Sequence, residues 1–365
     1  MRLLSVPSHL TQLWIERCKE QQWLRLGVSV HRLDEDRRGI PLSDDAPSGS
    51  DEYWEGHPVL EVDDEVPQAL RWSEYLPEHI RSLPGEPWPS SFEIQGDILM
   101  VKFDDEQYKQ EIAEAMLQHF KNIRIVCADR GVKGDFRVRD LEILASKDGT
   151  ESTKTYLREH GVLIQTNPGD VYYSSRLAHE RERSAERIGQ FKEKKQRKLV
   201  IADLYAGVGP AFGLLFQHDL VAGYIANDLN PHAIPHLRMN LAHFTKKSEP
   251  LEPARIECCD ARTLARFDGI EGSADVLLVN LPHESLDHLT DLIACLKPSE
   301  TTLVRGWCIV ERSELSTIKQ RIEHILREHG KTTNAIDIEE VKGYSTTKVV
   351  ASFTFEVCIA DESLT

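Results

Sequence analysis

The segment Asp203-Leu-Tyr-Ala-Gly-Val-Gly-Pro210 contains residue types that could hold a nucleoside close to the backbone. It follows an apolar stretch, residues 199–204, that predicts a buried strand. Glycines let the chain approach a ligand closely, and the start of the next helix offers free N–H groups. Gly207, Gly209 and Gly213 have the spacing G-x-G-x-x-x-G, unlike the G-x-G-x-x-G of dinucleotide-binding turns. The segment therefore predicts a nucleoside-containing cofactor and disfavours nicotinamide.

Three further polar side chains each stand where a predicted strand ends. Asp228 ends the second strand, where a carboxylate can accept hydrogen bonds from both hydroxyls of a ribose. Asp260 follows the third strand and could meet an adenine amino group, and Asn280 follows the fourth in Asn280-Leu-Pro282. Parallel sheets bind ligands at the carboxyl ends of their strands, so the order of these residues indicates one site. The simpler alternative for Asp228 is a solvated cap.

The elements that must position these residues alternate along the C-terminal half. Strands are predicted at 199–204, 222–227, 254–258, 274–279 and 301–308, with helices between them. This alternation predicts a central, mostly parallel α/β sheet. A later pair of segments, 334–341 and 347–357, predicts an antiparallel edge.

The preceding residues predict two further domains, with a Pro-rich boundary at 84–89. Residues 1–85 would form a small N-terminal domain, 90–170 an α+β middle domain and 171–365 the catalytic domain. The first domain would contain a helix over 8–24 and a loop over 42–65. In the middle domain we expect strands at 98–103, 123–128, 136–144, 161–166 and 170–173 and a helix at 108–120. A charged helix would follow at 178–196. Alternation over 136–144 would place Arg137 and Arg139 on one face of a strand and Val138 on the other.

Composition limits the possible partners and compartments. The net charge of −16 argues against binding nucleic acid, because that requires clustered Lys and Arg. Basic residues nevertheless concentrate in 176–198, where the simpler interpretation is a solvated helix face. No apolar stretch reaches the roughly 20 residues of a membrane helix, and the N-terminus lacks a secretory pattern. The seven scattered cysteines include no pair of Cys-x-x-Cys elements, which disfavours structural zinc and indicates a reducing, cytoplasmic compartment.

Taken together, these motifs resemble a known family. Asp-Leu-Tyr-Ala-Gly-Val-Gly-Pro, Asn-Asp-Leu-Asn-Pro and Asn-Leu-Pro are similar to motifs of Rossmann-like class I methyltransferases. Their combination resembles the archaeal and eukaryotic tRNA (guanine-N1)-methyltransferases that act at tRNA position 37, a family related to the wybutosine pathway. Upstream segments agree, notably 136–142, 159–161 and 171–181. The resemblance covers nearly the whole chain, more strongly from about residue 90. His283 departs from the family, which tends to have Lys after Asn-Leu-Pro.

The resemblance implies S-adenosylmethionine as the cofactor and tRNA as the partner. We expect a monomer, although the sequence itself does not give the oligomeric state. The expected cofactor-binding residues are Tyr172, Arg176, Asp203, Ala206, Gly207, Gly209, Asp228, Leu229, Asp260, Ala261 and Asn280. The expected catalytic residues are Glu180, Arg137, Arg139, Asn280 and Pro282. No metal ligand is implied; Mg²⁺ stays open as a second cofactor, although nothing in the sequence indicates it.

The family's reaction gives a chemical reason for each catalytic residue. Guanine N1 carries a proton that must be removed, and the resemblance assigns this step to the carboxylate of Glu180. Charge develops on O6, where a guanidinium stabilises it; either Arg137 or Arg139 could do so. The resemblance also implies that Asn280 and Pro282 form a loop holding the base, and that Tyr172 and Arg176 line the pocket. Reaching the base requires flipping it from its stack.

Each assignment has a plain structural alternative. Glu180 and Arg183 could be a surface pair on a helix, Arg137 and Arg139 could face solvent, and Tyr172 could belong to the core.

Three other functions compete with methyl transfer to guanine. Transfer of an aminocarboxypropyl group is the nearest, although that subfamily tends to have Ser-Gly-Asn where this chain has Ser175-Arg176-Leu177. A non-catalytic tRNA-binding protein on the same scaffold is disfavoured by the presence of Glu180, Arg176 and Asn280. The third, a nicotinamide-dependent oxidoreductase, is disfavoured by the glycine spacing.

Overall fold

The computed structural model describes residues 1–25, 28, 30–62, 71–84, 88–134 and 136–359. The chain divides into two compact units, Met1–Leu83 and Pro84–Thr365. The predicted division into three domains stays a prediction. Over the described ranges, no helix is both long and apolar enough to cross a bilayer.

The first unit is a four-stranded antiparallel sheet with two short helices. Its strands, in the order β2-β3-β1-β4, are β1 Arg2–Pro7, β2 His31–Arg32, β3 Arg37–Leu42 and β4 Val59–Glu61. The helices are α1 Thr11–Glu20 and α2 Glu78–Arg81.

Residues 42–65 were predicted to form one continuous loop. For residues 42–62, the part of this segment that the structure describes, the prediction was wrong. The segment contains β4 and a 3-10 turn, Glu52–Trp54. The reason is Trp54, which packs on Trp14 with ring centroids 6.2 Å apart and donates from Nε1 to the Ser48 carbonyl oxygen over 2.8 Å.

The second unit begins with a four-stranded sheet covered by one helix. Its strands, in the order β5-β6-β7-β8, are β5 Phe92–Gln95, β6 Ile98–Val101, β7 Ile125–Lys133 and β8 Val138–Ser146; the helix is α3 Lys109–His119. The predicted strand at 136–144 begins two residues late, because Arg137 has a left-handed backbone with φ of 52°. Arg137 therefore lies in the turn before the strand, which corrects its expected place on the strand face.

A two-stranded antiparallel hairpin follows, formed by β9 Thr155–Glu159 and β10 Val162–Thr166. The predicted pairing of 161–166 with 170–173 was wrong, because β9 takes the place of the second segment. Residues 170–173 are not a strand. The N–H groups of Asp170 and Val171 donate to the Asn167 carbonyl oxygen, each over 2.9 Å, and so close a turn. The turn between β5 and β6 packs on β9 at Gly96, where an added Cβ would clash with Thr155 Oγ1 and the Tyr156 carbonyl oxygen.

An eight-stranded sheet forms the rest of the unit. The strand order is β13-β12-β11-β14-β15-β18-β16, with β17 also paired to β18. The strands are β11 Leu199–Asp203, β12 Val221–Asn227, β13 Ala254–Glu257, β14 Val276–Val279, β15 Thr302–Glu311, β16 Lys331–Thr332, β17 Ile336–Gly343 and β18 Lys348–Ile359. The helices are α4 Ala178–Lys195, α5 Pro210–Gln217, α6 Ala233–Phe244, α7 Ala261–Leu264, α8 Ser285–Leu292 and α9 Leu315–Glu328.

The topology of this sheet explains where a ligand would bind. The first five strands in this order are parallel, which confirms the predicted parallel sheet. Strand β18 runs antiparallel to both β15 and β17, and its pairing with β17 confirms the predicted antiparallel edge. The strand order reverses at β11, because β12 lies on one side of it and β14 on the other. A crevice opens at the carboxyl ends of strands at such a reversal. The glycine turn directly follows β11.

Candidate functional site

The glycine turn after β11 is shaped by two residues in left-handed conformations. Gly207 has φ of 57° and Gly209 has φ of 78°, a region that side chains rarely adopt. A Cβ on Gly209 would lie 2.6 Å from Leu237 Cδ1. Pro210 then begins α5, where its missing N–H costs nothing. The turn thus keeps its backbone open toward the carboxyl ends of the strands.

Asp228 binds this turn from the end of β12. Its Oδ2 accepts from the N–H of Gly207 over 2.7 Å, and its Oδ1 accepts from the N–H of Asn230 over 2.9 Å. Asp228 therefore caps a turn, as the simpler alternative expected, but it is half-buried, and this burial raises the pKa of its carboxyl. The next side chain, Leu229, is 57% exposed and offers an apolar surface at the rim.

Sequence reasoning missed Asn227, which joins three strand ends. Its Nδ2 donates to the carbonyl oxygens of Leu204 and Cys259, both over 3.0 Å, and its Oδ1 accepts from the N–H of Cys259 over 3.1 Å. The sequence does contain a signal for it, an amide side chain at the end of an apolar strand. An amide buried there must be hydrogen-bonded to neighbouring groups. Asn227 therefore fixes the spacing between β11, β12 and the segment that carries Asp260.

Asp260 lies at the start of α7, where it accepts from the N–H of Arg262 over 3.0 Å. The Arg262 side chain forms an ion pair with the same carboxylate at 2.6 Å and lowers its pKa to about 2. Ala261, which follows, is buried. Asp260 is thus an ionised hydrogen-bond acceptor at the edge of the crevice.

Asp203 lies deepest in the group, at the end of β11. It is 4% exposed, and its Oδ1 accepts from the N–H of Tyr205 over 3.3 Å. Burial, with a smaller contribution from the charge of Asp228, raises the pKa of Asp203 to about 7. Ala206 is bound beside it, since its N–H donates to the Asn227 carbonyl oxygen over 2.8 Å. The crevice therefore holds one buried carboxyl, that of Asp203, beside the half-buried carboxyl of Asp228.

Glu180 is buried in the first turn of α4, with 5% exposure, so the alternative of a surface pair with Arg183 is wrong. Its Oε2 accepts from Trp307 Nε1 over 3.0 Å and from Arg305 Nη2 over 3.2 Å. Arg183 does approach Oε1, at 3.4 Å. Arg305 is anchored further by Ser184 Oγ at 2.8 Å. Donors from two elements therefore hold the carboxylate in one orientation.

A buried ion pair fixes the loop that precedes α4. Arg181 Nε donates to Glu159 Oε1 over 2.6 Å, and Tyr173 Oη donates to Glu159 Oε2 over 2.5 Å. With Tyr173 in the core, Tyr172 points outward and is 53% exposed, so the alternative of a core Tyr172 is wrong. The Arg176 side chain is 76% exposed. The loop therefore presents Tyr172 and Arg176 to solvent.

The structure separates the two candidate arginines of the middle segment. Arg139 forms ion pairs with Asp129 at 2.6 Å and Glu93 at 2.8 Å, and its side chain is 23% exposed. Arg137 instead donates from Nη1 to His283 Nε2 over 2.5 Å. Burial and the charge of Arg137 lower the pKa of His283, in keeping with a neutral acceptor. Arg137 therefore lies against the loop that follows β14.

That loop begins with Asn280 and Pro282. Asn280 is exposed, and the Pro282 carbonyl oxygen accepts from the N–H of Ile309 over 2.7 Å, which anchors the loop to β15. Together with Arg137, these residues form one side of the site. Among the described residues, no group of three or more His, Cys, Asp or Glu is placed to hold a metal ion.

Two family profiles match the chain. Residues 73–150 match the TYW2 N-terminal domain, and residues 155–333 match the TRM5/TYW2 methyltransferase domain. Among curated relatives, the tRNA (guanine(37)-N(1))-methyltransferase Trm5b of Pyrococcus abyssi is 30% identical over 234 residues, which are 63% of this chain and 62% of the relative. The chain spans between 27% and 62% of the length of the first three curated relatives it matches.

Solved structures share the fold. The crystal structure of wild-type Trm5b from Pyrococcus abyssi has a TM-score of 0.65 and 23% identity, with 98% of this chain and 100% of that chain covered. The structure of TYW2 from M. jannaschii in complex with AdoMet has a TM-score of 0.54 and 15% identity, covering 73% of this chain and 99% of that one. The Rossmann-like class I methyltransferase fold, with an α+β segment before it, is confirmed.

Proposed function

This chain carries a TRM5/TYW2 methyltransferase domain, and from that premise we propose that it transfers methyl from S-adenosylmethionine to N1 of guanosine 37 in tRNA. The observation that carries the proposal is the contact of Arg137 with His283 at 2.5 Å. It brings a guanidinium from the middle segment to the Asn280–Pro282 loop of the catalytic sheet. Curated relatives with the name tRNA (guanine(37)-N(1))-methyltransferase support the choice of substrate.

The crevice at the end of β11 suits S-adenosylmethionine. The left-handed Gly207 and Gly209 keep side chains away from the backbone, and Asp228 retains lone pairs for ribose hydroxyls beyond its two bonds to N–H groups. Asp260 is an ionised acceptor for an adenine amino group, and Leu229 provides an apolar contact. When bound, the cofactor supplies an electrophilic methyl carbon.

Glu180 would remove the N1 proton of guanine. Trp307 and Arg305 hold its carboxylate, which is largely shielded from water. The carboxylate would therefore keep one orientation toward a guanine bound next to it. A positioned carboxylate within hydrogen-bond reach accelerates such proton transfer. As the proton leaves, negative charge develops on O6.

Arg137 would stabilise that charge. It is exposed and has no carboxylate within 4.0 Å in the part of the chain that the structure describes, unlike Arg139, whose ion pairs with Asp129 and Glu93 occupy its guanidinium. A guanidinium donates charge-assisted hydrogen bonds to a carbonyl oxygen. We therefore assign the stabilisation of O6 to Arg137 and a structural role to Arg139. Glu93, which pairs with Arg139, also lies 3.7 Å from Arg176.

Two exposed residues in the loop before α4, Tyr172 and Arg176, would receive the flipped nucleotide. Tyr172 offers a ring face for stacking, and Arg176 offers a guanidinium to the base or a phosphate. The enzyme we propose acts as a cytoplasmic monomer.

One alternative has a specific observation in its favour. The match of residues 73–150 is to the TYW2 N-terminal domain, and transfer of an aminocarboxypropyl group would use the same cofactor. Arg176 favours methyl transfer over it. A non-catalytic tRNA-binding role is disfavoured by the anchored carboxylate of Glu180.

A labelling experiment distinguishes these functions. The purified protein is incubated with tRNA transcripts that carry guanosine or adenosine at position 37, and with cofactor labelled either in the methyl group or in the carboxyl carbon. We expect methyl label on the guanosine transcript alone. Carboxyl-carbon label without methyl label would establish the alternative transfer, equal labelling of both transcripts would refute the guanine assignment, and no label would indicate a binding protein.

A further inference from the structure

Strand β9 and the residue before it, Lys154, present a basic and aromatic face that the proposed reaction does not use. Lys154, Tyr156 and Arg158 are exposed, whereas Thr155 and Glu159 between and beside them are buried. Alternate residues of a strand recur about every 6.8 Å. Two cations therefore flank one aromatic ring at regular spacing.

These residues line a groove of about 1090 Å³. The turn at Gln95–Asp97 also lines it, as do Ser175 and Ala178. Ala178 begins α4, two residues before Glu180, so the start of the helix that carries the proposed base is part of the groove's lining.

The walls of the groove are fixed. Asp97 Oδ2 accepts from Arg124 Nε over 2.8 Å, and Arg124 Nη2 donates to the Lys154 carbonyl oxygen over 2.8 Å. Tyr156 Oη accepts from Gln165 Nε2 over 2.5 Å, which holds the tyrosine ring at its outer end. A ligand would therefore meet a surface formed before binding.

The local charge is opposite to that of the whole chain. The carboxylates of the groove are already paired, Asp97 with Arg124 and Glu159 with Arg181. Across the residues that the structure describes, neither Lys154 nor Arg158 has a carboxylate within 4.0 Å; Arg158 Nη1 donates only to the Gly161 carbonyl oxygen, over 3.2 Å. Two available cations in a chain of net charge −16 fit a polyanion.

We propose that Lys154, Tyr156 and Arg158 bind single-stranded RNA next to the target nucleotide, with phosphates on the two cations and a base stacked on the tyrosine. Stacking on an aromatic ring between cations is how proteins bind unpaired nucleotides without reading their sequence. The proposal rests on the proposed function for the identity of the RNA, which is tRNA. It adds a binding surface outside the cofactor crevice, at the start of the second matched family region.

The test measures the dissociation constant of the full chain for a tRNA transcript with guanosine 37 over a series of KCl concentrations. The Lys154→Ala/Arg158→Ala variant should reduce the slope of log affinity against log salt by about 1.4, since each phosphate contact to a single strand contributes about 0.7. Tyr156→Ala should weaken binding about 5- to 150-fold, and Tyr156→Phe should bind like wild type because it keeps the ring.

Lys246→Ala/Lys247→Ala is the matched control. It also removes two exposed positive charges, but from the segment between α6 and β13 at the amino end of the sheet. Its salt slope should equal that of wild type. Affinity for S-adenosylmethionine, measured by calorimetry, should be the same in all variants and would reveal a misfolded one.

The outcomes separate this proposal from the proposed function. If wild type binds and methylates the tRNA but Lys154→Ala/Arg158→Ala has the wild-type slope, the groove does not bind RNA and the function stands. If the double variant changes the slope while wild type transfers no methyl group, the groove stands and the function fails. If the control variant reduces the slope equally, the effect is one of net charge and the groove proposal is overturned.

Discussion

Trp307 and Glu180, 127 residues apart in sequence, meet through a hydrogen bond of 3.0 Å from the indole Nε1 to the carboxylate Oε2. Trp307 lies on β15 and Glu180 in the first turn of α4. Arg305, two residues earlier on the same strand, donates to the same oxygen. The sheet therefore orients the carboxylate that we assign as the general base.

Glu180→Gln should reduce methyl transfer about 100-fold or more, because an amide keeps the shape of the side chain but cannot take the N1 proton. The measurement is the single-turnover rate with saturating cofactor and tRNA. Cofactor affinity should not change. A wild-type rate in this variant would remove Glu180 from the mechanism.

Trp307→Phe removes the indole donor and keeps an aromatic ring. The free energy of unfolding should fall by about 1.5–3 kcal/mol, the usual worth of a hydrogen bond to a charged group. Urea unfolding measures this loss, and the same substitution in the Glu180→Gln background should cost less because the acceptor is then neutral. Equal losses in the two backgrounds would show that the charge of Glu180 adds nothing to this hydrogen bond.

Arg137→Ala and Arg139→Ala should have different effects. Arg137→Ala should lower methyl transfer by about 10²- to 10³-fold with little change in thermal stability, as for removal of a donor to a developing oxyanion. Arg139→Ala should instead lower the melting temperature, because it leaves Asp129, whose side chain is 6% exposed, without its cation. The opposite pattern would assign O6 to Arg139.

Gly209→Ala should destabilise the protein by about 1–2 kcal/mol, the cost of a side chain in the left-handed region, and weaken cofactor binding. Gly189→Ala is the matched control: Gly189 lies within α4 with no atom within 4 Å of an added Cβ. That substitution should stabilise the protein by about 0.5–1 kcal/mol. Chemical denaturation and calorimetry of cofactor binding measure both. Similar changes at the two glycines would contradict the strained turn.

Asp203→Asn should make stability less dependent on pH. The pKa of Asp203 is raised from 3.8 to about 7, so between these values the folded protein holds a proton that the unfolded chain has lost. The free energy of unfolding therefore falls as pH rises through this window and levels off above it. Urea unfolding without cofactor at about pH 5 and about pH 8 should show a smaller loss in the variant than in wild type. An identical loss would mean that Asp203 is ionised throughout.

Much of the catalytic sheet could be predicted because its signals are local. Strands β11, β12 and β14 are short, mostly apolar runs, and a polar residue directly follows two of them, Asp228 after β12 and Asn280 after β14. The position of the crevice then follows from strand order. Strand β9 was missed because Thr155–Glu159 mixes charged and aromatic residues, so its hydrophobic pattern is weak.

The partners of the predicted residues could not be inferred. Nothing near Glu180 in sequence indicates that Arg305 and Trp307 will bind it, since that contact depends on where β15 lies beside α4. Strand alternation could not choose between Arg137 and Arg139, because the choice follows from the left-handed backbone at Arg137 and the ion pairs of Arg139.

The close packing of Gly96 against β9 has a consequence for exchanging parts between related proteins. Gly96 belongs to the matched region 73–150, and Thr155 and Tyr156 belong to the region 155–333. A chimera that replaces one region at the boundary between them must carry a glycine into this contact, or the two backbones cannot approach. The residue at position 96 in one region therefore restricts which backbone positions the residues at 155 and 156 in the other region can take.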